Sequence, residues 1–275
     1  MDIGHILIAS DLSDRSDRAV ARGIMIAEML GASATIVTIV DDNLPEDIAA
    51  QMAERAREHL AYVASQAKGA APHILVETGD ALDRLIALAN DPATGLVVAG
   101  RHRPRGLMDR LRPTTVERLA SESLKPVLLV TSPVHGPYET ALASVAFSRA
   151  CRRAVKAAKM IAPAAEMQMI HAWLAPFEGL TGGETSGMAH AVEAETRALA
   201  AEWSASLPEG LPEVELVHGA VVDVLHRRVR ETKPDLLAVG AHTRSLSFTG
   251  LGAFAADLVR DPPTDILVAG GSASA

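Results

Sequence analysis

The 275-residue sequence is poor in the residues that usually announce a chemistry. It has one cysteine, Cys151. A lone thiol makes neither a disulfide framework nor a cysteine-based zinc cluster, and Cys151 reads as a small residue near a helix start. Aromatic residues make up 3% of the chain while hydrophobic residues make up 48%, so the core must be built from Val, Leu, Ile, Ala and Met. Apolar runs of that kind suit the buried strands of a parallel sheet. No apolar run approaches the ~20 residues that span a bilayer. Residues 3–9 read as a strand, with no basic segment or signal-peptide pattern, so a soluble cytoplasmic protein without membrane contact is expected. An excess of positive charge is also missing: 26 Lys and Arg stand against 34 Asp and Glu, a formal net charge of −8. That argues against a nucleic-acid partner, which would call for a basic balance or face.

Several catalytic signatures are absent. There is no GxxxxGK[ST] phosphate loop and no G-x-S-x-G nucleophile elbow. Zinc spacing of Cys and His is missing, as are the Ser-Gly-Gly-x-Asp-Ser and His-x-Gly-His signatures of related nucleotide enzymes. No nucleophile and base can be paired, so no catalytic residue and no metal site is assigned.

What is present is a repeat. Residues 7–27 align without a gap on 142–162: Leu7, Ser13, Arg18, Ala19, Val20, Met25, Ile26 and Ala27 meet Leu142, Ser148, Arg153, Ala154, Val155, Met160, Ile161 and Ala162. Residues 79–102 align on 219–242, where Gly79, Asp83, Leu85, Leu96, Gly100 and His102 meet Gly219, Asp223, Leu225, Leu236, Gly240 and His242. Two such stretches in the same order indicate a duplicated domain. The boundary falls in 131–140, punctuated by Pro133, Gly136 and Pro137. The predicted domains are 1–131 and 138–275. A glycine-rich stretch, 178–187, reads as a further loop.

Each copy alternates short apolar runs with helical spacing. The strand candidates are 5–10, 34–40, 73–77, 96–100 and 127–131, then 142–147, 166–172, 214–218, 236–240 and 266–269. This rhythm predicts an α/β fold: two tandem doubly wound domains, each a five-stranded parallel sheet of order 3-2-1-4-5 with helices on both faces. The two sheets are expected to be separate rather than one continuous ten-stranded sheet. Ligands in such sheets bind beyond the strands' carboxyl ends where the order reverses. That points to the loops 10–16 and 100–115 in the first copy, and 145–151 and 240–254 in the second.

The segments HILIASDLSDRSDRAV, GDALDRLIALANDPATGLVVAG and SLKPVLLV resemble the first strand and helix, the third helix with fourth strand, and the closing strand of the universal stress protein family. The resemblance covers nearly the whole chain, once per half. It implies a stress-associated regulatory or binding protein. In the family's nucleotide-binding branch, glycines let backbone N–H groups approach phosphates at a helix N-terminus, and an Asp after the first strand contacts the nucleoside. The candidate cofactor-binding positions are Asp11, Ser13, Val40, Gly100 and Thr114 in the first copy and Gly240, Gly250 and Gly252 in the second, together with Arg101, His102, Arg103 and Arg105 of a basic loop that the family pattern does not itself supply. Both copies depart from the ATP pattern. Arg103 and Pro113 replace glycines in the first; Pro113 also removes an N–H donor. In the second, Thr243 replaces a glycine, Ala253 the hydroxyl, and Ala146 stands where the first has Asp11.

Arg101, His102, Arg103, Arg105, Arg110 and Arg112 crowd the loop after strand four of the first copy. Arginines can hold phosphate bidentately where backbone amides cannot; alternatively the loop is solvated and paired with acidic residues of the other half. His102 and His242, at equivalent positions, suggest a shared structural task. His171 reads as a core or loop histidine, and Glu54 with Glu58 as a solvated helix face. Three functions follow: a non-enzymatic stress-response binding protein with degenerate nucleotide motifs; an ATP-binding protein with weak ATPase activity through the first domain; or an interaction scaffold. ATP, if bound, is expected in the first domain. Single-domain members of the family dimerise through their last strands. The resemblance therefore implies an intrachain pseudo-dimer through 126–130 and 265–269, and leaves a homodimer of the whole chain open.

Overall fold

The computed structural model describes residues 2–66, 71–101, 115–175, 187–241 and 251–270. The loop read over 178–187 lies almost entirely outside them. The first half runs β1 (His5–Ala9), α1 (Asp14–Leu30), β2 (Ser33–Val40), α2 (Glu46–Gln66), β3 (His73–Thr78), α3 (Ala81–Ala89), β4 (Leu96–Gly100), α4 (Thr115–Glu122) and β5 (Val127–Val130). The second half repeats it: β6 (Thr140–Ser144), α5 (Arg149–Ile161), β7 (Glu166–Trp173), α6 (Gly187–Ser204), β8 (Val214–His218), α7 (Val221–Thr232), β9 (Leu236–Gly240), α8 (Ala253–Arg260) and β10 (Asp265–Ala269).

Local chemistry sets several boundaries. Ser13 caps α1 in a reciprocal box with Ser16, and Gly31, with φ +62°, ends it in the left-handed conformation. Asp80 caps α3 by accepting from the Leu82 and Asp83 amides at 3.0 and 2.9 Å. The repeated glycines Gly79 and Gly219 sit at φ +150° and +137°, where an L side chain is strained. Strand β6 starts before the apolar run that predicts it. The Asp235 carboxylate takes the Glu139 and Thr140 amides and the Thr140 hydroxyl, which pulls this polar stretch onto the sheet. The run also ends early as a strand, because Phe147 turns to φ +54°.

Each half has the expected parallel order 3-2-1-4-5. The expectation of two separate sheets is corrected. The strands form one ten-stranded sheet, in the order β3-β2-β1-β4-β5-β10-β9-β6-β7-β8. The join is antiparallel, with Val127, Leu128 and Leu129 opposite Val268, Leu267 and Ile266. Strands β5 and β10 are thus central, and β3 and β8 are the edges. The physical reason is that an unpaired row of N–H and C=O groups on a fully buried strand demands a partner. The resemblance-based expectation that the last strands associate therefore describes the join itself. Leu128 pairs with Val98 and Leu267 with Ala238 at the same register, so they are equivalent residues facing each other. A pseudo-two-fold axis passes between them.

Helices cover both faces. Alternation along the strands divides the core accordingly: Ile6, Ile8, Leu128 and Leu267 face α1, α2, α5 and α6, while Leu7, Leu129 and Ile266 face α3, α4, α7 and α8. Each apolar layer runs unbroken across the two halves.

The polar centre of the join is Asp265. Its buried carboxylate accepts from the Thr131 amide at 2.8 Å, the Thr131 hydroxyl at 3.2 Å, the Ser132 amide at 3.0 Å and the Tyr138 hydroxyl at 2.8 Å. Arg22 Nε lies 3.8 Å away, and its guanidinium stacks over the Tyr138 ring at 4.0 Å while donating to the Gly136 carbonyl at 2.7 Å. Burial beside this carboxylate holds the Tyr138 pKa well above the usual phenol range, so the hydroxyl stays a donor. Neighbouring this cluster is a symmetric device. Arg18 donates to the Thr131 carbonyl and its repeat partner Arg153 to the Gly270 carbonyl, both at 2.9 Å. Arg153 also reaches across to the Leu124 carbonyl at 2.5 Å.

Candidate functional site

The candidate site lies at the carboxyl ends of β1 and β4, with its counterpart at β6 and β9. In the first half β1 runs out into Ser10, Asp11, Leu12 and Ser13. The Asp11 carboxylate accepts from the Ser13 hydroxyl at 2.5 Å and the Ser13 amide at 3.1 Å. Ser10 Oγ meets Ser16 Oγ at 3.1 Å, Leu12 N donates to Ser10 Oγ at 3.2 Å, and Thr38 Oγ1 donates to the Ser10 carbonyl at 2.8 Å. A carboxylate at the surface thus sits above buried hydroxyls, which fix the loop. Leu12 takes a left-handed φ of +61° there, a conformation that costs a non-glycine residue about 1–2 kcal/mol.

Of the other positions carried over by resemblance, Gly100 packs against the first turn of α1. A Cβ on it would stand 2.8 Å from the Arg15 carbonyl oxygen and 3.0 Å from Ser16 Cα. Helix packing alone therefore demands glycine at this position. Val40 is buried, and its carbonyl accepts from the Gly79 amide at 2.9 Å. Arg101 pairs at 2.9 Å with Asp261 of the second half, which is the cross-half pairing considered for the arginine loop. Arg260 likewise reaches Glu117 at 2.6 Å. His102, Arg103, Arg105 and Thr114 lie outside the described residues, as do Arg110, Arg112, Pro113 and, in the second half, His242, Thr243 and Gly250.

The second half keeps the scaffold with different contents. Gly240 abuts α5 closely, with a Cβ placed 2.7 Å from Cys151 N. Gly252 precedes α8 and donates to the Ala241 carbonyl at 2.9 Å. Cys151 takes the place of Ser16, and its Sγ accepts from Ala146 N at 3.3 Å. Phe147, like its equivalent Leu12, is left-handed. His171 stands where the first half has Thr38 and makes the same bond, Nδ1 donating to the Val145 carbonyl at 2.8 Å. Phe147 stacks on His171 at 4.2 Å and leans on Trp203 at 5.9 Å, while Trp203 Nε1 donates to the Ser148 carbonyl at 3.2 Å. Two aromatic side chains and an imidazole thus fill this end of the sheet.

Burial pushes the His171 pKa below the ordinary histidine range, against the opposing pull of its bond to Val145. In the unfolded chain the ring takes a proton near pH ~6.5; folded, it resists. The neutral ring therefore contributes stability that is fully present above the unfolded value and is lost below it, as pH falls through the lower folded pKa. His171→Thr, which copies the first half, is expected to flatten this part of the pH profile. Urea melts at pH 7.5 and pH 5 check it, and an unchanged slope would count against a neutral buried ring.

Sequence reasoning missed several of these residues. Arg18 and Arg153 were visible as a repeat identity without a role, and Asp265 had only its charge inside an apolar run as a signal. Trp203 had none. Glu54 pairs with Arg57 at 3.0 Å on an exposed helix face, as expected of a solvated stretch. Among the described residues, no group of His, Cys, Asp and Glu could hold a metal ion, and no helix is long and apolar enough to cross a membrane.

Comparison with known proteins places this geometry. A universal stress protein from Archaeoglobus fulgidus DSM 4304 superposes with a TM-score of 0.69 at 15% identity, over 99% of this chain and 100% of that one. A functionally unknown protein from Pseudomonas aeruginosa PAO1 gives 0.61 at 17% identity, over 98% and 92%. Likeness at such identities establishes the fold alone. No curated protein matches the sequence. The universal stress protein family matches residues 3–131 and again 137–270. The chain therefore belongs to the universal stress protein family, with two of its domains in tandem.

Proposed function

We propose that this chain is a cytoplasmic, non-catalytic binding protein of the stress response, built of domains 1–131 and 138–275, whose ligand end is the first-half switch point. The observation that supports this is the contrast between the two ends. The first presents the Asp11 carboxylate over a hydroxyl-lined loop. The second has Ala146 at that position and is filled by Phe147, His171 and Trp203. The ligand class is an adenine nucleotide, ATP in the first instance, held through Asp11 with weak hydrolysis at most. A titration of ATP tests this. One site per chain is expected, and Asp11→Ala should weaken it at least about tenfold, the scale of one hydrogen bond to a charged group. Undiminished affinity in that variant, or two sites per chain, would refute the assignment.

A second reading, an interaction scaffold with both ends degenerate, is favoured by one observation. Gly100 and Gly240 are each accounted for by tight helix packing. Nucleotide released on denaturing the purified protein separates the two readings. Its absence, with no binding on titration, selects the scaffold.

A further inference from the structure

Among the described residues, the buried Asp265 carboxylate finds Arg22 and Thr131 of the first half, Ser132 of the linker, and Tyr138 at the start of the second half. The second half has no copy of this set. By the alignment of 7–27 with 142–162, Ala157 stands where the first half has Arg22. By the register of β5 and β10, Gly270 stands where it has Thr131, and Pro126 occupies the place of Asp265 itself. A homotypic join is nevertheless available in backbone terms. Since Leu128 and Leu267 are equivalent and face each other, a β10 from a second chain could lie where β5 lies, with Leu267 opposite Leu267. That join would bury two Asp265 carboxylates against Ala157 and Gly270, each keeping its own Tyr138 but losing the Arg22 guanidinium and the Thr131 hydroxyl. A buried charge deprived of its partner is strongly unfavourable, and such a penalty against the wrong partner is how specificity is built.

We infer that Asp265 is a partner-selecting residue: it makes β10 accept the β5 edge and its linker, and reject a second copy of β10. The family's strand-to-strand association thereby becomes heterotypic in this chain.

The test uses the full chain with Cys151→Ser, the residue found at the equivalent position 16, and Leu267→Cys as reporter. Leu128→Lys is added to free β10 in every arm. Across an antiparallel pair, facing Cα atoms lie about 4.5–5.5 Å apart, within disulfide reach. Under mild oxidation the chain with Asp265 should remain uncross-linked. Asp265→Asn should give a 267–267 disulfide dimer in at least about tenfold higher yield, the factor that 1.4 kcal/mol produces. Equal yields would overturn the inference. Should the Leu128→Lys chain not fold, a double-mutant cycle in the otherwise native chain decides. Arg22→Ala should speed hydrogen exchange of the β10 amides at least about tenfold more with Asp265 than with Asp265→Asn, because only the former strands a charge; equal acceleration would also overturn it.

Discussion

Asp265→Ala is expected to lower the stability of the whole chain by about 3–5 kcal/mol, the cost of breaking a buried charge pair from one side. The alanine leaves two backbone amides, a threonine hydroxyl and the Tyr138 phenol without their acceptor. Each buried donor stranded in this way costs about 1–3 kcal/mol, and Arg22, 5% exposed, keeps its charge with no carboxylate beside it. Water entering the cavity would recover part of the loss, which is why the total stays below the sum. Urea denaturation at pH 7.5 reads it as a fall in midpoint at constant slope. A loss below about 1 kcal/mol would show that the cluster does not hold the join.

Leu128→Lys is expected to separate the halves. Leu128 has no solvent exposure and faces Leu267, equally buried, on the pseudo-two-fold axis. Truncating the apolar contact there costs about 2–5 kcal/mol, and the one carboxylate near an ammonium placed in the same layer, Asp265, is already held by Arg22, Thr131, Ser132 and Tyr138. The chain escapes by opening β5 from β10 while each half retains its own parallel sheet. A compact chain of this length has a radius of gyration of about 19 Å; small-angle scattering should rise clearly above that, and the amides of Leu267 and Val268 should lose protection from exchange. Compact scattering with protected amides would mean that the helix layers and the pairs Arg101–Asp261 and Arg260–Glu117 hold the halves without the strands. That outcome is not expected, since the exposed Arg101–Asp261 pair contributes only about 0–1 kcal/mol and the buried Glu117 is met by an Arg260 that is itself about half exposed.

Most of the architecture was legible because it is written in short-range terms. All ten strands coincide with apolar runs, and the duplication shows in aligned identities such as Ser13 with Ser148, which cap equivalent helices. The continuous sheet was not legible in the same way. A run such as Val127–Val130 looks alike whether a strand has one neighbour or two, and which edge is covered is decided by the fold of the other half. Asp265 is the sharper failure, since a charge at the start of a strand candidate reads as a surface residue until the linker is seen to fold over it. At the candidate site, the motif positions Gly100 and Gly240 were found for a reason that packing against Ser16 and Cys151 also supplies. The aromatic filling of the second half was hidden because Phe147, His171 and Trp203 are scattered over more than fifty residues.

The antiparallel join also has a cost in time. Strand β5 leaves the ribosome more than a hundred residues before β10 exists to cover it. At roughly 5–20 residues per second of synthesis, its buried-type edge, Val127–Val130, waits on the order of ten seconds beside a completed first half. An apolar edge left open for that interval invites aggregation between nascent chains. Pro126 stands immediately before it and offers no N–H to an incoming strand, the kind of gatekeeper that guards unavoidable apolar segments. Its counterpart in the second half is Asp265, which is made after β5 and meets Thr131, Ser132 and Tyr138 already in place. On this view the residue that differs between the two copies at this position reflects the order of their synthesis: the early edge is blunted, and the late edge is aimed.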